Sequence, residues 1–311
     1  MTSIHKPVLL EKTLKYLINT KVGVYVDCTL GTGGHFKAIA KSLKPNAVLV
    51  GIDADYSAIN YCKKNIQIQQ KSIFVNSNFA NLMRICYRIG YTRVNGIFMD
   101  LGLSSFALDN PNRGFSFSHN GPLDMRFSPE TTESAETFVN SASVSTLKRI
   151  FKEYGEEKHS NLIAKAIDKE RKIQQIKTTR QLANIITNTI SSPFPVKILS
   201  RIFQAIRIHV NNEIESLKKA LSQSIEILDE DGRLVVISYH SIEDRIVKQF
   251  MKRESTNCIC PPDFPICQCN HKAQLEILTK RPIIPSKEEI NSNSRARGAK
   301  LRASKKIRED K

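Results

Sequence analysis

The sequence of 311 residues lacks any hydrophobic run of the roughly 18 residues needed to cross a bilayer. Its first residues also lack the apolar segment and the small-residue cleavage site of a secretory signal. Cysteine is scarce, and the seven present are an odd number that does not suggest a framework of disulfides. These absences exclude membrane and secreted classes, and we expect a cytoplasmic protein in a reducing environment.

Acidic residues are also in short supply, because 30 Asp and Glu stand against 47 Lys and Arg. The formal net charge is +17, although hydrophobic residues at 41% leave enough apolar material for a core. An excess of this size attracts polyanions, since each phosphate that is neutralised releases condensed counterions. Solubility alone, or codon usage that favours lysine, would produce the same excess. The charge therefore favours a nucleic-acid partner without settling the question.

Short β-branched runs alternate with helical patterns in the first third of the chain. The runs lie at residues 22–28, 47–53, 72–76 and 96–100. Such alternation predicts βαβ units and a parallel sheet covered on both faces. A polar loop at 104–129 and helical periodicity from 134 to about 189 follow, before a strand pattern returns at 232–239. We therefore predict an α/β core of residues 1–110 and 200–311, with a loop and helical insertion at 111–199.

The segment DCTLGTGGH, residues 27–35, joins a strand end to a glycine-rich turn and a helix start. Glycines let the backbone approach a ligand there, and a helix N-terminus presents N–H groups. A P-loop would need Gly-Lys-Ser/Thr, which is absent, and a dinucleotide fingerprint would need glycine where Phe36 stands. The turn therefore disfavours hydride chemistry and pyrophosphate binding. Alone it could also be no more than a tight connection.

Polar residues follow four consecutive predicted strands. Asp53 ends the second strand, where nucleoside-binding α/β folds place an acid that accepts hydrogen bonds from ribose hydroxyls. A helix cap is the alternative role, for which Asp55 is at least as well placed. Residues 76–80 and Asp100 follow the third and fourth strands. Because ligands of open α/β sheets bind outside the carboxyl ends of strands, this series favours a ligand site at that edge.

Sequence blocks along almost the whole chain, from residue 5 to about 302, resemble one known family. The blocks are HKPVLLEKTL, DCTLGTGGH, GIDAD, FANL, DLGLSS, DNPNRGFSF, PLDMR, EYGEE, TTRQLANII, FQAIRIHVNNEIESL, ISYHSIEDRIVK and NSRARGAKLR. DNPNRGFSF, PLDMR and SYHSIEDR are far more specific than the glycine turn. The chain resembles the bacterial 16S ribosomal RNA cytidine N4-methyltransferases.

The resemblance implies a Rossmann-like class I methyltransferase sheet with an inserted α-helical domain, which would recognise RNA. It implies S-adenosylmethionine as the cofactor and 16S rRNA in the small ribosomal subunit as the partner. Roles at the cofactor are implied for Gly33, Gly34 and His35 in the pocket, Asp53 at the ribose, Phe79 at the adenine and Asp100 near the methionine end. The family usually has Pro-Gln after its DLG-x-SS block, and that Gln contacts the cofactor. Phe106 and Ala107 stand there, so the contact is absent or made by another group.

The chemistry that the resemblance implies is mainly a matter of positioning. The exocyclic amine of cytosine is a poor nucleophile because its lone pair is delocalised, whereas a sulfonium is already an excellent methyl donor. The Asp100 carboxylate, or a backbone carbonyl, could hold the amine and take its proton. His240 could orient the cytidine or move a proton, or it could be an ordinary turn histidine. Phe115, Phe117 and Tyr239 are candidates to stack on the base, although a core position is the commoner role for each.

Several basic residues are candidates for RNA contacts. Arg113 and Arg126, in the long loop, are predicted to grip phosphates. The strongest electrostatic footprint is the C-terminal run of Arg295, Arg297, Lys300, Arg302, Lys305, Lys306 and Arg308, which suggests a basic edge strand or tail.

Four of the cysteines, Cys258, Cys260, Cys267 and Cys269, offer enough soft ligands for a structural zinc ion. C-x-C spacing is less usual than C-x₂-C, so free thiols or a redox-sensitive loop are alternatives. No catalytic metal is predicted, because methyl transfer from a sulfonium needs none.

An RNA cytidine N4-methyltransferase is the main functional prediction. A DNA amino-methyltransferase would share its cofactor and its amine chemistry. A non-catalytic ribosome-assembly factor that binds S-adenosylmethionine for stability is the alternative of another class. The sequence leaves a homodimer open.

Overall fold

The computed structural model describes residues 7–261, 264 and 266–308, with only the backbone described at Ser105 and Phe106. The chain divides into two compact units. The first comprises Met1–Gly102 and Glu215–Lys311, and the second comprises Leu103–Ile214. Among the residues described, no helix is both long and apolar enough to span a membrane.

The first unit is built on a seven-stranded sheet in the order β3-β2-β1-β4-β5-β7-β6. Its strands are β1 (Val24–Asp27), β2 (Val48–Asp53), β3 (Lys71–Asn76), β4 (Val94–Asp100), β5 (Leu228–Ser238), β6 (Leu275–Ile277) and β7 (Lys300–Lys306). Strands β1 to β5 pair in parallel, and β7 runs antiparallel to both of its neighbours. This arrangement confirms the predicted α/β class and the Rossmann-like class I sheet.

Both faces of the sheet are buried, which explains why its strands read as apolar runs. Successive residues of a strand point to opposite faces, so Phe98 and Val235 join one hydrophobic cluster while Ile97 and Val236 join another. The helices of this unit are α1 (Leu10–Leu17), α2 (Gly34–Ser42), α3 (Tyr56–Asn65), α4 (Leu82–Arg88), α12 (Ser241–Glu254), α13 (Lys287–Ser292) and most of α11 (Glu213–Ile227).

The second unit is helical and has its own hydrophobic core. Its helices are α5 (Ser105–Leu108), α6 (Ala135–Ser141), α7 (Val144–Glu153), α8 (Ser160–Arg171), α9 (Thr179–Thr189) and α10 (Pro195–Val210). Residues 200–214 lie in this unit, whereas the sequence placed them in the α/β core. The reason is that α10 buries Ile202, Phe203 and Ile206 in the core of the helical unit.

The C-terminal basic run is not the tail or edge strand expected from the sequence. Strand β7 lies inside the sheet, between β5 and β6. Arg302 is buried, and its Nε and Nη2 donate to the two carboxylate oxygens of Asp244 at 2.7 and 3.2 Å. Lys306 is also buried and contacts the side chain of Gln274. These two cations are therefore buried within the fold and do not form a surface for RNA.

The other lysines and the last arginine of that run also have partners. Lys300 lies 3.5 Å from Asp244, and Lys305 lies 2.9 Å from Glu276. Arg308 pairs with Asp231 at 2.6 Å. Among the basic residues of this run, Arg295 and Arg297 alone precede the strand, in an exposed 3₁₀ turn (Ser294–Gly298). The exposed arginines of the run thus lie on either side of β7, in that turn and at Arg308.

Candidate active site

The carboxyl ends of the parallel strands meet at one edge of the first unit. Asp27, Asp53 and Asp100 are the last residues of β1, β2 and β4. Strand β1 lies between β2 and β4, so the direction of strand succession reverses there. Open α/β sheets bind ligands outside the strands that flank such a switch point. The candidate site therefore lies around Asp27 and Asp100.

The glycine turn after β1 is held by the end of β2. The Gly31 N–H donates to Asp53 Oδ2 at 2.8 Å. Gly33 has a φ of +75°, and a Cβ there would come within 2.3 Å of the Ile66 side chain. A larger residue would therefore displace the turn from which α2 begins. Gly34 is the first residue of α2, where backbone N–H groups have no partner within the helix.

The carboxylate of Asp53 ties two backbone segments together. Its Oδ2 accepts from Gly31, and its Oδ1 accepts from the Asp55 N–H at 2.8 Å. Asp55, rather than Asp53, caps α3 by accepting from Ser57 at 2.9 Å. The helix-capping role, which was the alternative for Asp53, is therefore taken by Asp55. Carboxylate oxygens have further lone pairs, so the ribose role of Asp53 stays a prediction.

Phe79 lies beyond the end of the neighbouring strand β3. It begins a 3₁₀ helix (Phe79–Asn81) and is half-buried against the hydrophobic cluster that contains Val26 and Val50. Asn78 opens the turn by accepting from the Ala80 N–H at 2.8 Å. An aromatic ring at a strand end suits contact with a heterocycle, and the adenine contact of Phe79 stays a prediction.

Asp100 is held between Tyr239 and His35. The Tyr239 hydroxyl donates to Oδ1 at 2.9 Å, and Oδ2 lies 3.5 Å from His35 Nδ1. Burial, followed by the charge of Asp100, raises the pKa of Tyr239 well above its ordinary value, so the phenol remains a donor. Tyr239 follows β5 directly, as Asp100 ends β4, so adjacent strands bring the two side chains together.

His35 is a buried, neutral imidazole. Its Nε2 donates to the Val8 carbonyl at 2.9 Å, because a carbonyl oxygen only accepts. Burial lowers the pKa of His35 to about 4, despite the opposing effect of the Val8 hydrogen bond. Nδ1 is therefore unprotonated at neutral pH and presents a lone pair towards Asp100.

Residues from both ends of the chain complete this site, and the sequence did not single them out. Val8 accepts from His35, and the Leu9 N–H donates to Glu289 Oε1 at 2.6 Å. A Cβ on Gly34 would meet the Pro7 ring at 2.7 Å, so this N-terminal segment lies directly against the turn. The HKPVLL block was visible in the sequence, but its partner Glu289 could not be identified without the fold.

Asp27 is a further site residue that sequence analysis did not select. It is buried, its Oδ1 accepts from the Thr29 N–H at 3.1 Å, and its Oδ2 has no hydrogen-bond partner among the described residues. Burial raises the pKa of Asp27 to about 8, and the nearby charges of Asp100 and Asp53 add to the rise. An unpartnered carboxyl oxygen at the switch point is suited to a cationic ligand group.

His240 is a helix cap in this structure. Its Nδ1 accepts from the Glu243 N–H at 3.4 Å, and its Nε2 lies 3.0 Å from Glu243 Oε1. Glu243 Oε2 in turn accepts from the backbone N–H of Tyr239 at 2.9 Å. The turn-histidine alternative therefore accounts for the contacts of His240. A part in orienting the substrate stays a prediction.

The turn that carries Arg295 and Arg297 lies next to the end of β5. A Cβ on Gly298 would come within 2.8 Å of the Tyr239 carbonyl oxygen, which measures how closely the two backbones approach. Both arginines are exposed. These two exposed arginines of the basic run therefore border the candidate site.

In the second unit, Arg113 and Arg126 are used within their own loop. Arg113 donates to the carbonyl oxygens of Arg126 and Phe127 at 2.9 and 3.1 Å. Arg126 donates from Nε and Nη2 to both carboxylate oxygens of Asp124 at 2.7 and 3.0 Å. The phosphate-binding role expected of these arginines is not supported by these contacts.

The aromatic candidates of that loop belong to the helical core. Phe115 is buried beside Phe127, and Phe117 meets Phe203 edge to face at 5.4 Å between ring centroids. Ala107 is also buried in this core and offers no side-chain hydrogen bond in place of the usual Gln. The side chain of Phe106 lies outside the described residues.

Comparisons with known proteins agree with one another. A family model described as the MraW methylase family matches residues 2–307. "Ribosomal RNA small subunit methyltransferase H" of Carboxydothermus hydrogenoformans is 46% identical, over 97% of this chain and 98% of that protein. The protein of the same name from Clostridium botulinum strain Loch Maree is 48% identical, over 97% and 99%. A crystal structure of an rRNA methylase from Streptococcus thermophilus aligns over 98% of this chain and 100% of that one. Its TM-score of 0.41 and 10% identity are too low to support an argument.

The buried carboxyl of Asp27 predicts a specific dependence of stability on pH. Because its pKa is about 8 in the folded chain and near 3.8 ordinarily, the folded state holds a proton that the unfolded chain loses. Stability should fall as the pH rises from about 4 to about 8, by at most about 1.4 kcal/mol per pH unit. Asp27→Asn should remove this slope, as measured by urea unfolding of the ligand-free protein. Glu230→Gln, an exposed change in the same unit, is the control. A difference between Asp27→Asn and wild type that stays constant over this range would contradict the account.

Proposed function

The chain belongs to the MraW methylase family, and on that premise we propose that it methylates 16S rRNA of the small ribosomal subunit. The methyl group passes from S-adenosylmethionine to the exocyclic N4 amine of a decoding-centre cytidine. Relatives that carry the small-subunit methyltransferase name over nearly their full length support the substrate. The observation that carries the chemistry is the Asp100 carboxylate at the switch point, between the Tyr239 hydroxyl and the neutral His35.

The residues at the strand ends fit S-adenosylmethionine. Asp53 would hold the ribose hydroxyls, Phe79 would contact the adenine, and the glycine turn with Asp27 would receive the methionine end. Asp27 holds a proton in the ligand-free protein, and a cationic group beside its unpartnered Oδ2, such as the amino group of the amino acid part of the cofactor, would favour the ionised carboxylate. The cofactor supplies an activated methyl group on a sulfonium, and it needs no metal.

Asp100 positions the amine and accepts its proton. An acceptor at the amine N–H favours localisation of the nitrogen lone pair, which conjugation with the ring otherwise weakens. Tyr239 holds Oδ1, so that Oδ2 and the Nδ1 lone pair of His35 are the acceptors at the other side of the carboxylate. A proton taken by Oδ2 can be shared with His35 Nδ1 across the 3.5 Å between them. His35 thus acts as a positioning residue for Asp100.

Each of the two units offers a different feature for binding RNA. In the first unit, the exposed Arg295 and Arg297 turn borders Tyr239 and is suited to phosphates. In the second unit, Phe194 is 59% exposed, and the Lys197 ammonium lies 4.7 Å from the centroid of its ring. A cation beside an exposed aromatic ring is a common means of holding single-stranded RNA. We therefore propose residues 111–199 as the main RNA-recognition segment. A cytoplasmic location and a homodimer stay predictions from the sequence.

The test of the proposal is methyl transfer from labelled S-adenosylmethionine to unmodified small subunits, naked 16S rRNA and duplex DNA, followed by nucleoside analysis. N4-methylcytidine in the subunit or its RNA alone is the expected result. Label in DNA would favour a DNA amino-methyltransferase instead. Tight cofactor binding without transfer to any substrate would favour a non-catalytic assembly factor.

Variants of Asp100 and Tyr239 separate chemistry from binding. Asp100→Asn keeps the shape but cannot accept the proton, so kcat should fall by about 10²- to 10³-fold while cofactor affinity changes little. Tyr239→Phe removes a donor to the charged carboxylate and should raise the pKa of Asp100. The acidic limb of the kcat profile should therefore move to higher pH. The measurements are single-turnover rates across pH and equilibrium cofactor binding. An equal loss of binding and rate in Asp100→Asn would contradict this role.

The exposed arginine turn should contribute to the salt dependence of RNA binding. Replacing Arg295 and Arg297 with Gln should lower the magnitude of the slope of log K against log salt by about 0.7 for each phosphate that these arginines neutralise. The matched control is Arg308→Gln, because Arg308 is also exposed but follows the end of β7 that lies away from the carboxyl end of β5. The measurement is equilibrium binding of 16S rRNA at several salt concentrations. A slope that is the same in the double variant and in wild type would exclude the turn from the interface.

A further inference from the structure

The segment between α12 and β6, residues 255–274, brings four cysteine side chains together. The Sγ atoms of Cys258, Cys260, Cys267 and Cys269 all lie within 4.8 Å of one another. Cys269 Sγ is 3.6 Å from Cys267 Sγ and 3.9 Å from Cys258 Sγ. The two C-x-C pairs, which are separated in sequence, thus form one sulfur cluster.

The spacing of the sulfurs matches a tetrahedral metal site. With a metal–sulfur bond of about 2.3 Å, four thiolates around zinc lie about 3.8 Å apart. The distances of 3.6 and 3.9 Å are on either side of that value. They are far longer than the roughly 2.05 Å of a disulfide bond. The arrangement is therefore a ligand set rather than a pair of disulfides.

Backbone donors support the sulfurs in a reciprocal manner. The Ile259 N–H donates to Cys269 Sγ at 3.3 Å, and the Gln268 N–H donates to Cys260 Sγ at 3.3 Å. Each donor is thus the middle residue of one C-x-C pair and reaches across to the last cysteine of the other pair. Hydrogen bonds to ligating atoms orient them and stabilise their charged form.

The described residues of this segment form no hydrophobic core that would otherwise order it. None of its described residues is fully buried, and Ile259, Phe264 and Ile266 are exposed. The base of the segment is closed by polar contacts, among them Gln274 N–H to the Glu254 carbonyl at 2.7 Å. His271 Nε2 lies 3.1 Å from the Arg253 carbonyl, so this histidine belongs to the base and not to the sulfur cluster. Small segments without a core commonly depend on a metal or a cross-link.

We propose that Cys258, Cys260, Cys267 and Cys269 bind one structural zinc ion, which orders the segment that leads from α12 into β6. Four thiolates leave no open coordination position, so the ion holds the loop and takes no part in methyl transfer. Soft thiolate ligands in tetrahedral geometry select zinc over magnesium or calcium. The site is independent of the proposed activity, since its residues lie outside the strand-end cluster.

The experiment measures metal in the full chain, purified without an affinity tag under reducing conditions. Elemental analysis should find about one zinc per chain. Cys258→Ser with Cys267→Ser removes one ligand from each pair and should abolish the metal. Cys86→Ala, which changes a buried cysteine outside the cluster, should retain it. Cobalt(II) added to the metal-free protein should give thiolate charge-transfer bands in wild type and in Cys86→Ala, but not in the double variant.

Limited proteolysis provides a second measurement that does not depend on the variants. Removal of the metal from wild type with a chelator should expose residues 255–274 to cleavage, and zinc should restore protection. Thermal unfolding verifies that the remainder of each protein stays folded. The proposal is overturned if the reduced wild type contains no zinc and gives no thiolate bands with cobalt. It is equally overturned if the cluster purifies with iron and sulfide, or if the four cysteines form disulfides under reducing conditions.

Discussion

The sheet brings the carboxyl groups of three aspartates to the same edge, where negative charges repel one another. The remainder of the site is arranged around that repulsion. Asp27, Asp53 and Asp100 end neighbouring strands, and burial makes a negative charge costly at Asp27. Donors are distributed unevenly among them. Asp53 accepts from two backbone N–H groups and Asp100 accepts from Tyr239, whereas Asp27 has one backbone donor and a raised pKa. Burial, with the charges of Asp100 and Asp53, thus raises the pKa of Asp27, the carboxyl that lies deepest of the three.

The same edge is closed by parts of the chain that are remote in sequence. His35 depends on Val8, the following residue binds Glu289, and the backbone of Tyr239 is approached by Gly298. Strand β7 supports that arrangement, because Arg302 fastens it to Asp244 of α12 while Glu243 holds the N–H of Tyr239. The buried ion pair between Arg302 and Asp244 and the orientation of the Tyr239 phenol therefore depend on one connected set of contacts.

The sequence predicted those features that depend on local pattern. Apolar runs ending in Asp placed Asp53 and Asp100 correctly at strand ends, and the helical periodicity from residue 134 to about 189 corresponds to helices α6 to α9. The sequence did not predict features that depend on burial, because the identity of a residue does not show whether its side chain is buried. Arg302 and Lys306 look like any other basic residues, and only their place in an internal strand makes them structural. Asp27 likewise stands out by its burial and by an Oδ2 that has no hydrogen-bond partner among the described residues, which a linear pattern does not show.

The insertion of the helical unit between β4 and β5 has a consequence for how the chain folds as it is synthesised. Residues 101–227 must leave the ribosome before β5 can pair with β4. Until then the apolar residues Ile97, Phe98 and Met99 lie on an open edge, the kind of surface through which nascent chains associate wrongly. The helical unit is built largely from neighbouring helices with local contacts, which form quickly. Early folding of the helical unit would replace the long flexible connection between β4 and β5 with a short one. The edge of β4 would then be exposed for less time before β5 pairs with it.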